Sequence, residues 1–371
     1  MQNSISGMFR LMASTLFFVF LTSSISAQLN LPTGSQKARV IQTIGITDIT
    51  VNYSRPSVNE REIWGKLVPY GYNNLGFGTA TAAPWRAGAN ENTTLSFSHP
   101  VIINGQNINS GTYGYHVAVE ADNTATVILS KDATSWGSYF YEQENDVIRV
   151  PVKTKEIPHT ELLTYVFNEV STTKTTLALQ WEKKEIPLTI EVEVHKLVLN
   201  DIRNALKSSP GFNRQSWEQA ANYALNNNGD LKEALGWVDA AIAGKFFSQK
   251  TFGNLMIKAN ILSKMNKMED AKEVIDEALA IGTVFQVHQY GRQLIASGQK
   301  EKALEVFKFN LKKHKKTWPV HLGAARGYAA NGNYKEALKH LTIAQKNAPD
   351  QVNRDAIAAN LIKLKNNEDI N

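Results

Sequence analysis

A chain of 371 residues with 43% apolar and 20% charged residues can fill two hydrophobic cores and is too apolar to be disordered. It contains no cysteine, which excludes disulfides, a thiolate nucleophile, Cys-ligated zinc and a lipid-modified N-terminal cysteine. The net charge of +6 is split: residues 28–195 hold 13 Lys+Arg against 17 Asp+Glu, and residues 196–371 hold 26 against 17.

Residues 1–27 read as a secretory signal peptide. Arg10 is the positive segment, Leu11 to Leu21 the apolar one, and Ser24-Ile25-Ser26-Ala27 supplies small residues before a cut at Gln28. Met8 is an alternative start. The apolar segment falls well short of the ~20 residues that span a bilayer, and no later run approaches that length. The expectation is an exported chain with no membrane span.

Residues 38–194 alternate with period two. Ile49, Val51 and Tyr53 share one strand face, and Tyr113, Tyr115, Val117 and Val119 share another after the turn Asn109-Ser110-Gly111. Further strands are legible at 93–98, 124–130, 147–152, 162–169, 175–182 and 186–194, parted by Asn104-Gly105 and Asp122-Asn123. No crossover helices lie between them, so an antiparallel β-sandwich or barrel is expected. Residues 59–92 break the pattern: one helical turn is expected at Glu60–Trp64, then a Gly/Asn/Thr/Ala-rich loop long enough to be functional or disordered.

From Leu197 the period becomes 3.6. A helix at about 197–208 leads to Pro210-Gly211, and hairpins follow at roughly 214–226 with 230–243, 251–264 with 268–280, 285–297 with 300–313, and 318–330 with 334–347. A last helix at about 350–365 would close the stack. Ala234, Ala271, Ala303 and Ala337 recur at separations of 37, 32 and 34 residues, each after a polar turn. A small residue at a helix crossing with a period near 34 marks a tetratricopeptide-like solenoid. Trp217, Leu255, Val287 and His321 share one first-helix slot, a poor match between repeats. The fold class is therefore α+β in separate domains: 1–27 signal, 28–195 all-β, 196–371 helical repeats.

Tyr53-Ser54-Arg55-Pro56-Ser57, Ile63-Trp64-Gly65-Lys66-Leu67-Val68-Pro69-Tyr70-Gly71 and Trp85-Arg86-Ala87-Gly88-Ala89-Asn90-Glu91 precede Gly111-Thr112-Tyr113, Trp136-Gly137-Ser138-Tyr139 and Asp146-Val147-Ile148-Arg149-Val150. Together these resemble the domain-of-unknown-function family 2911 over roughly residues 30–194. The resemblance implies an exported protein of Bacteroidetes-type bacteria, in the periplasm or on the outer surface of a Gram-negative cell. It carries no activity over. One departure is Tyr72 to Pro84, which intervenes where family members pass quickly from the Val-Pro-Tyr-Gly element to the Trp-Arg element.

Trp64, Tyr70, Trp85, Arg86, Asn90 and Glu91, with Tyr113 and His116, are the candidate ligand-binding residues. Arg, Asn and Glu hydrogen-bond sugar hydroxyls or peptide backbone, and Trp offers a flat apolar face. The structural alternative is that Trp85 plugs the core while Arg86 and Asn90 tie down the loop through carbonyls. Glu191, Glu193 and His195 alternate with Ile190, Val192 and Val194 and so line one face of the last strand, where carboxylates and imidazole could ligate a metal or act as acid and base. A wet edge-strand face is the simpler account. The histidine spacings define no metal site, no nucleophile elbow or phosphate loop is present, and no cofactor is expected. Lys308, Lys312, Lys313, Lys315 and Lys316 end a helix, where the dipole favours cations, so nucleic acid is not expected. The sequence points to an exported, non-enzymatic protein whose repeats, at 214–347, dock a protein or peptide. The alternatives are a glycan- or peptide-binding module at Trp85-Arg86-Asn90, and a hydrolase using Glu91 with His99 or His116.

Overall fold

The computed structural model of the chain describes residues 32–314 and 317–371. The expected signal segment and Lys315 and Lys316 lie outside the described residues.

Among the described residues, ten strands form two sheets. The first runs in the order β1 (Gln36–Ile44), β2 (Thr47–Arg55), β3 (Thr94–Phe97), β6 (Gly111–Val119), β7 (Thr124–Ser130) and β8 (Asp146–Lys153). The second runs β5 (Gln106–Ile108), β4 (Val101–Ile103), β10 (Lys174–Glu191) and β9 (Lys155–Asn168). Every pairing is antiparallel, and neither sheet closes on itself. Period-two alternation sends Ile49, Val51, Leu95, Tyr115, Val117 and Leu129 of the first sheet into one core with Leu163, Tyr165, Leu177, Leu179 and Ile190 of the second. Each aliphatic side chain so buried contributes roughly 1.5–3 kcal/mol.

The two strands expected at 175–182 and 186–194 are one strand, β10. The charged run Glu182-Lys183-Lys184-Glu185 reads as a turn, but bulges at Gln180/Glu182 and Glu182/Lys184 absorb it, with Glu182 at φ 51°. Glu185 is held there by Gln180 Nε2 at 2.8 Å and Lys155 Nζ at 3.4 Å. β10 also ends sooner than expected. The apparent Glu191, Glu193, His195 row is broken, because Glu193 precedes a helix and His195 lies in it, 2.9 Å from the Tyr223 hydroxyl. Residues 60–64 form turns rather than a helical turn, since Asn59 and Glu60 are both left-handed at φ 47° and 57°.

Helix α1 (Val194–Ala205) and a 3-10 turn at Ser209–Phe212 precede four antiparallel hairpins. These are α2 (Arg214–Asn226) with α3 (Leu231–Ala243), α4 (Phe252–Lys264) with α5 (Met268–Ile281), α6 (Val284–Ala296) with α7 (Lys300–Lys313), and α8 (Trp318–Ala330) with α9 (Tyr334–Asn347). Helix α10 (Gln351–Lys365) packs on α9. The starts follow from capping: Asn213, Asp230 and Asp350 accept backbone N–H bonds, and Thr251 and Thr283 form capping boxes with Asn254 and Gln286. Inside each hairpin the turn holds one left-handed residue: Asn228, Asn266, Gly298 and Gly332, at φ 55°, 62°, 79° and 75°. Ala234, Ala271, Ala303 and Ala337 are all buried, as a small-residue crossing requires. Phe307 of α7 is enclosed by three glycines. A Cβ at Gly291 or Gly323 would fall 2.6 Å from its ring, and one at Gly327 2.8 Å. The helical half is thus a tetratricopeptide-like array by its own register and packing. Among the described residues, no helix is long and apolar enough to cross a membrane.

Helix α1 belongs to both halves. Val194 and Leu197 pack on the β core, whereas Leu199 and Ile202 enter the core of the first hairpin.

Candidate functional site

The segment after residue 84 is placed by the sheet it joins. Trp85 exchanges both backbone hydrogen bonds with Val117, at 2.9 and 2.8 Å, continuing the line of β3 beside β6. Alternation then sends Trp85 inward and Arg86 to the outer face of the sheet.

On the inner side, Trp85 stacks on Trp181 with centroids 5.7 Å apart, and Trp64 meets both edge-on at 5.8 and 6.1 Å. Trp181 is 1% exposed. Among the described residues the indole N–H groups of Trp64 and Trp181 are buried without a hydrogen-bond partner, and Lys184 Nζ lies 5.9 Å from the Trp64 ring. Tyr70 is exposed, its ring against Gly65, where φ is 85°.

On the outer side, His116 is 2% exposed although its strand neighbours face the core, because residues 72–84 and 131–142 fold over this face. His116 Nδ1 and Ser138 Oγ are 3.0 Å apart. Arg86 donates to the Asn90 carbonyl at 2.5 Å, its guanidinium fills the space a Cβ at Gly137 would need, and it lies 5.0 Å from the Tyr139 ring. Asn90 is left-handed, φ 59°, and its amide donates to the Ser35 carbonyl at 3.1 Å. Asn92 donates to the Asp132 carbonyl at 2.8 Å, while its own side-chain oxygen is buried without a partner among the described residues. Tyr141, Asp146 and Arg149 close a triangle of bonds of 2.6–2.7 Å, and Arg149 lies 5.3 Å from the Tyr72 ring. The residues that intervene at 72–84 cover the 136–141 loop: Phe77 meets Tyr139 and Phe140 edge-on, and Ala80 N–H donates to the Tyr139 carbonyl.

The structure therefore brings Trp64 and Trp85 together on one side of the sheet, and Arg86, Asn90 and His116 on the other. Glu91 is elsewhere, paired with Lys37 at 2.7 Å beside an open depression of about 300 Å³ lined by Lys37, Arg39, Asn52 and Asn92. The Lys37 ammonium holds its carboxyl below the usual range. Tyr113 packs on Phe97 and donates to the Asn109 carbonyl at 2.9 Å. Among the described residues no hydrogen bond joins Glu91 to His99 or His116; His99 instead meets Ser98 at 3.0 Å. Burial and the Arg86 charge push His116 down to about 4. A base near 4 holds a proton poorly at neutral pH, and Ser138 is fully enclosed, so the Ser138–His116 pair fastens the loop rather than activating a nucleophile. No group of three or more His, Asp or Glu positioned for a metal occurs among the described residues.

Sequence reasoning missed Ser138, Asn92 and Trp181. The signal for Ser138 was available: Trp136-Gly137-Ser138-Tyr139 belongs to the same motif set as Trp85-Arg86, and Gly137 is where Arg86 needs room.

These motifs meet as one folded unit. Residues 35–190 match the family described as protein of unknown function (DUF2911). The helical half is similar to solved tetratricopeptide-repeat proteins. YrrB, described as having an unusual peptide-binding site, is 18% identical over 44% of this chain and 84% of its own, with a TM-score of 0.27. A protein from Parabacteroides merdae is 18% identical over 47% and 68%, with a TM-score of 0.30. One from Thermus thermophilus is 20% identical over 46% and 91%, with a TM-score of 0.26. No curated protein matches the chain.

Proposed function

We propose that this is an exported protein whose helical hairpins dock a protein or peptide partner, with the DUF2911 part as a rigid companion domain. The supporting observation is the register: four hairpins joined by left-handed turns, with a buried alanine at each crossing. Stacking of this kind builds an extended surface that no single hairpin offers. The charge of this half, 26 Lys+Arg against 17 Asp+Glu, favours an acidic partner. Export is read from residues 1–27 alone. A photo-crosslinker at Gln289 on α6, in the full chain expressed in its own cell type, should give one discrete adduct. Labelling no stronger there than at the exposed Glu156 of β9 would remove the docking role.

A second reading is favoured by one observation on the β half. Phe77 and Trp136 are 66% and 55% exposed, with Tyr70, Tyr72 and Phe140 also exposed on neighbouring loops. Such a rim suits the apolar face of a sugar ring. Trp136→Ala should then abolish binding on a glycan array with the fold intact; unchanged or absent binding removes this reading.

A further inference from the structure

After α10 the chain turns back along α8, and its last residues are held there as a peptide would be. Ile370 is 5% exposed, in a cluster with Ala325, Leu341, Ile357 and Leu364. Arg326 Nη1 donates to the Ile370 carbonyl at 2.8 Å, and Asn371 Nδ2 donates to the Arg326 carbonyl at 3.1 Å. The segment belongs to no helix or strand.

The seat is only partly filled. Among the described residues Arg326 Nε is buried without a hydrogen-bond partner, and the His288 ring on the neighbouring α6 faces the Pro319 carbonyl of α8. Gly323 allows this approach, since a Cβ there would fall 2.9 Å from His288 Nδ1. Arg292, exposed on α6, adds a second guanidinium close enough to oppose the charge on Arg326. Neither arginine has a carboxylate within ion-pair distance among the described residues. Asp369 lies nearby, but one of its oxygens is committed to the Ile370 N–H and the Asn371 amide. Two cations and an orphaned buried N–H beside an occupied aliphatic pocket define a complementary ligand: a carboxylate next to an aliphatic side chain on extended backbone.

We propose that the face formed by α6, α8 and α10 binds an extended peptide segment of a partner carrying an acidic residue beside an aliphatic one, and that residues 368–371 hold this seat until such a segment displaces them. This rests on the docking role above and adds the partner's chemistry and its gate. An occupant tethered to its site acts at an effective concentration in the millimolar range, so the intact chain resists weak competitors.

The test uses the full chain and a fluorescein-labelled peptide with the sequence of residues 365–371, read by fluorescence anisotropy. Asp369→Lys with Asn371→Ala weakens the seated segment without touching the Ile370 pocket, and Ile370→Ser empties it. Both variants should bind the peptide at least tenfold more tightly than the unaltered chain. Arg326→Gln should remove that gain, and Arg292→Gln should reduce it at least threefold. Equal binding by all chains, or a gain that survives Arg326→Gln, overturns the proposal. Should Ile370→Ser lower the melting midpoint, the Asp369→Lys, Asn371→Ala chain decides. A Gln289 adduct without any gain in peptide binding discards this inference and leaves the docking role standing; absence of both the adduct and the gain removes both.

Discussion

Trp85 and His116 show how alternation along paired strands serves two layers. The Trp85 indole fills the space between Trp64 and Trp181, so Trp85→Ala should cost about 3–5 kcal/mol in a denaturant titration, the range for a large aromatic removed from a core. A loss below about 1 kcal/mol would mean that the stack is not a core feature. Three histidines contribute to the acid response. Burial and nearby arginines push His116 and His288 down to about 4, and burial with His321 lowers His340. The unfolded chain takes up these protons near the ordinary histidine value of about 6.5, before the folded chain does. Stability should therefore be full above about 6.5 and fall as pH drops toward 4. His116→Asn should flatten part of that slope in melts recorded from pH 7 to 4.5. An unchanged slope would place the proton uptake on other groups.

Among the elements, the helices were legible to within about a residue at most ends, because a 3.6 period, Ser/Thr/Asn/Asp caps and Gly or Asn turns are local signals. Residues 59–92 were not, because their conformation comes from distant partners: Trp85 from Val117, Asn73 from Ala83, and Gly78 from close contact with Tyr139. The Glu191–His195 row misled because alternation in sequence continues past Glu191, where the backbone has already turned helical. The candidate cluster was half legible. Arg86, Asn90 and His116 came together, whereas Glu91 turned to Lys37. Glycines carry element-scale consequences of their own. Gly291→Ala should destabilise the helical half by about 1–3 kcal/mol, since Phe307 is fully buried and cannot retreat. Gly298→Ala meets open space, so its cost should be only the left-handed backbone penalty of about 1–2 kcal/mol. Thermal melts of both variants separate crowding from backbone strain. A Gly291→Ala chain as stable as the parent would show that α6 and α7 can spread apart.

At the scale of the whole molecule, the change of charge and of period near residue 195 marks two architectures, yet the chain does not pass between them through a slack linker. Val194 reaches Gly45 in the β1–β2 turn, where an added Cβ would fall 2.5 Å from it, and five residues later Leu199 lies in the other core. A fragment 32–207 should therefore melt higher than 32–193, by the worth of the Val194 and Leu197 side chains, roughly 1–3 kcal/mol. Equal midpoints would show that α1 contributes nothing to the strands.

That shared helix works as a hinge pin riveted at both leaves. Severing the molecule where its composition changes would strip a shutter from one half and a floor from the other. A load on the hairpins would therefore reach the strands through α1, with no loose tether between them.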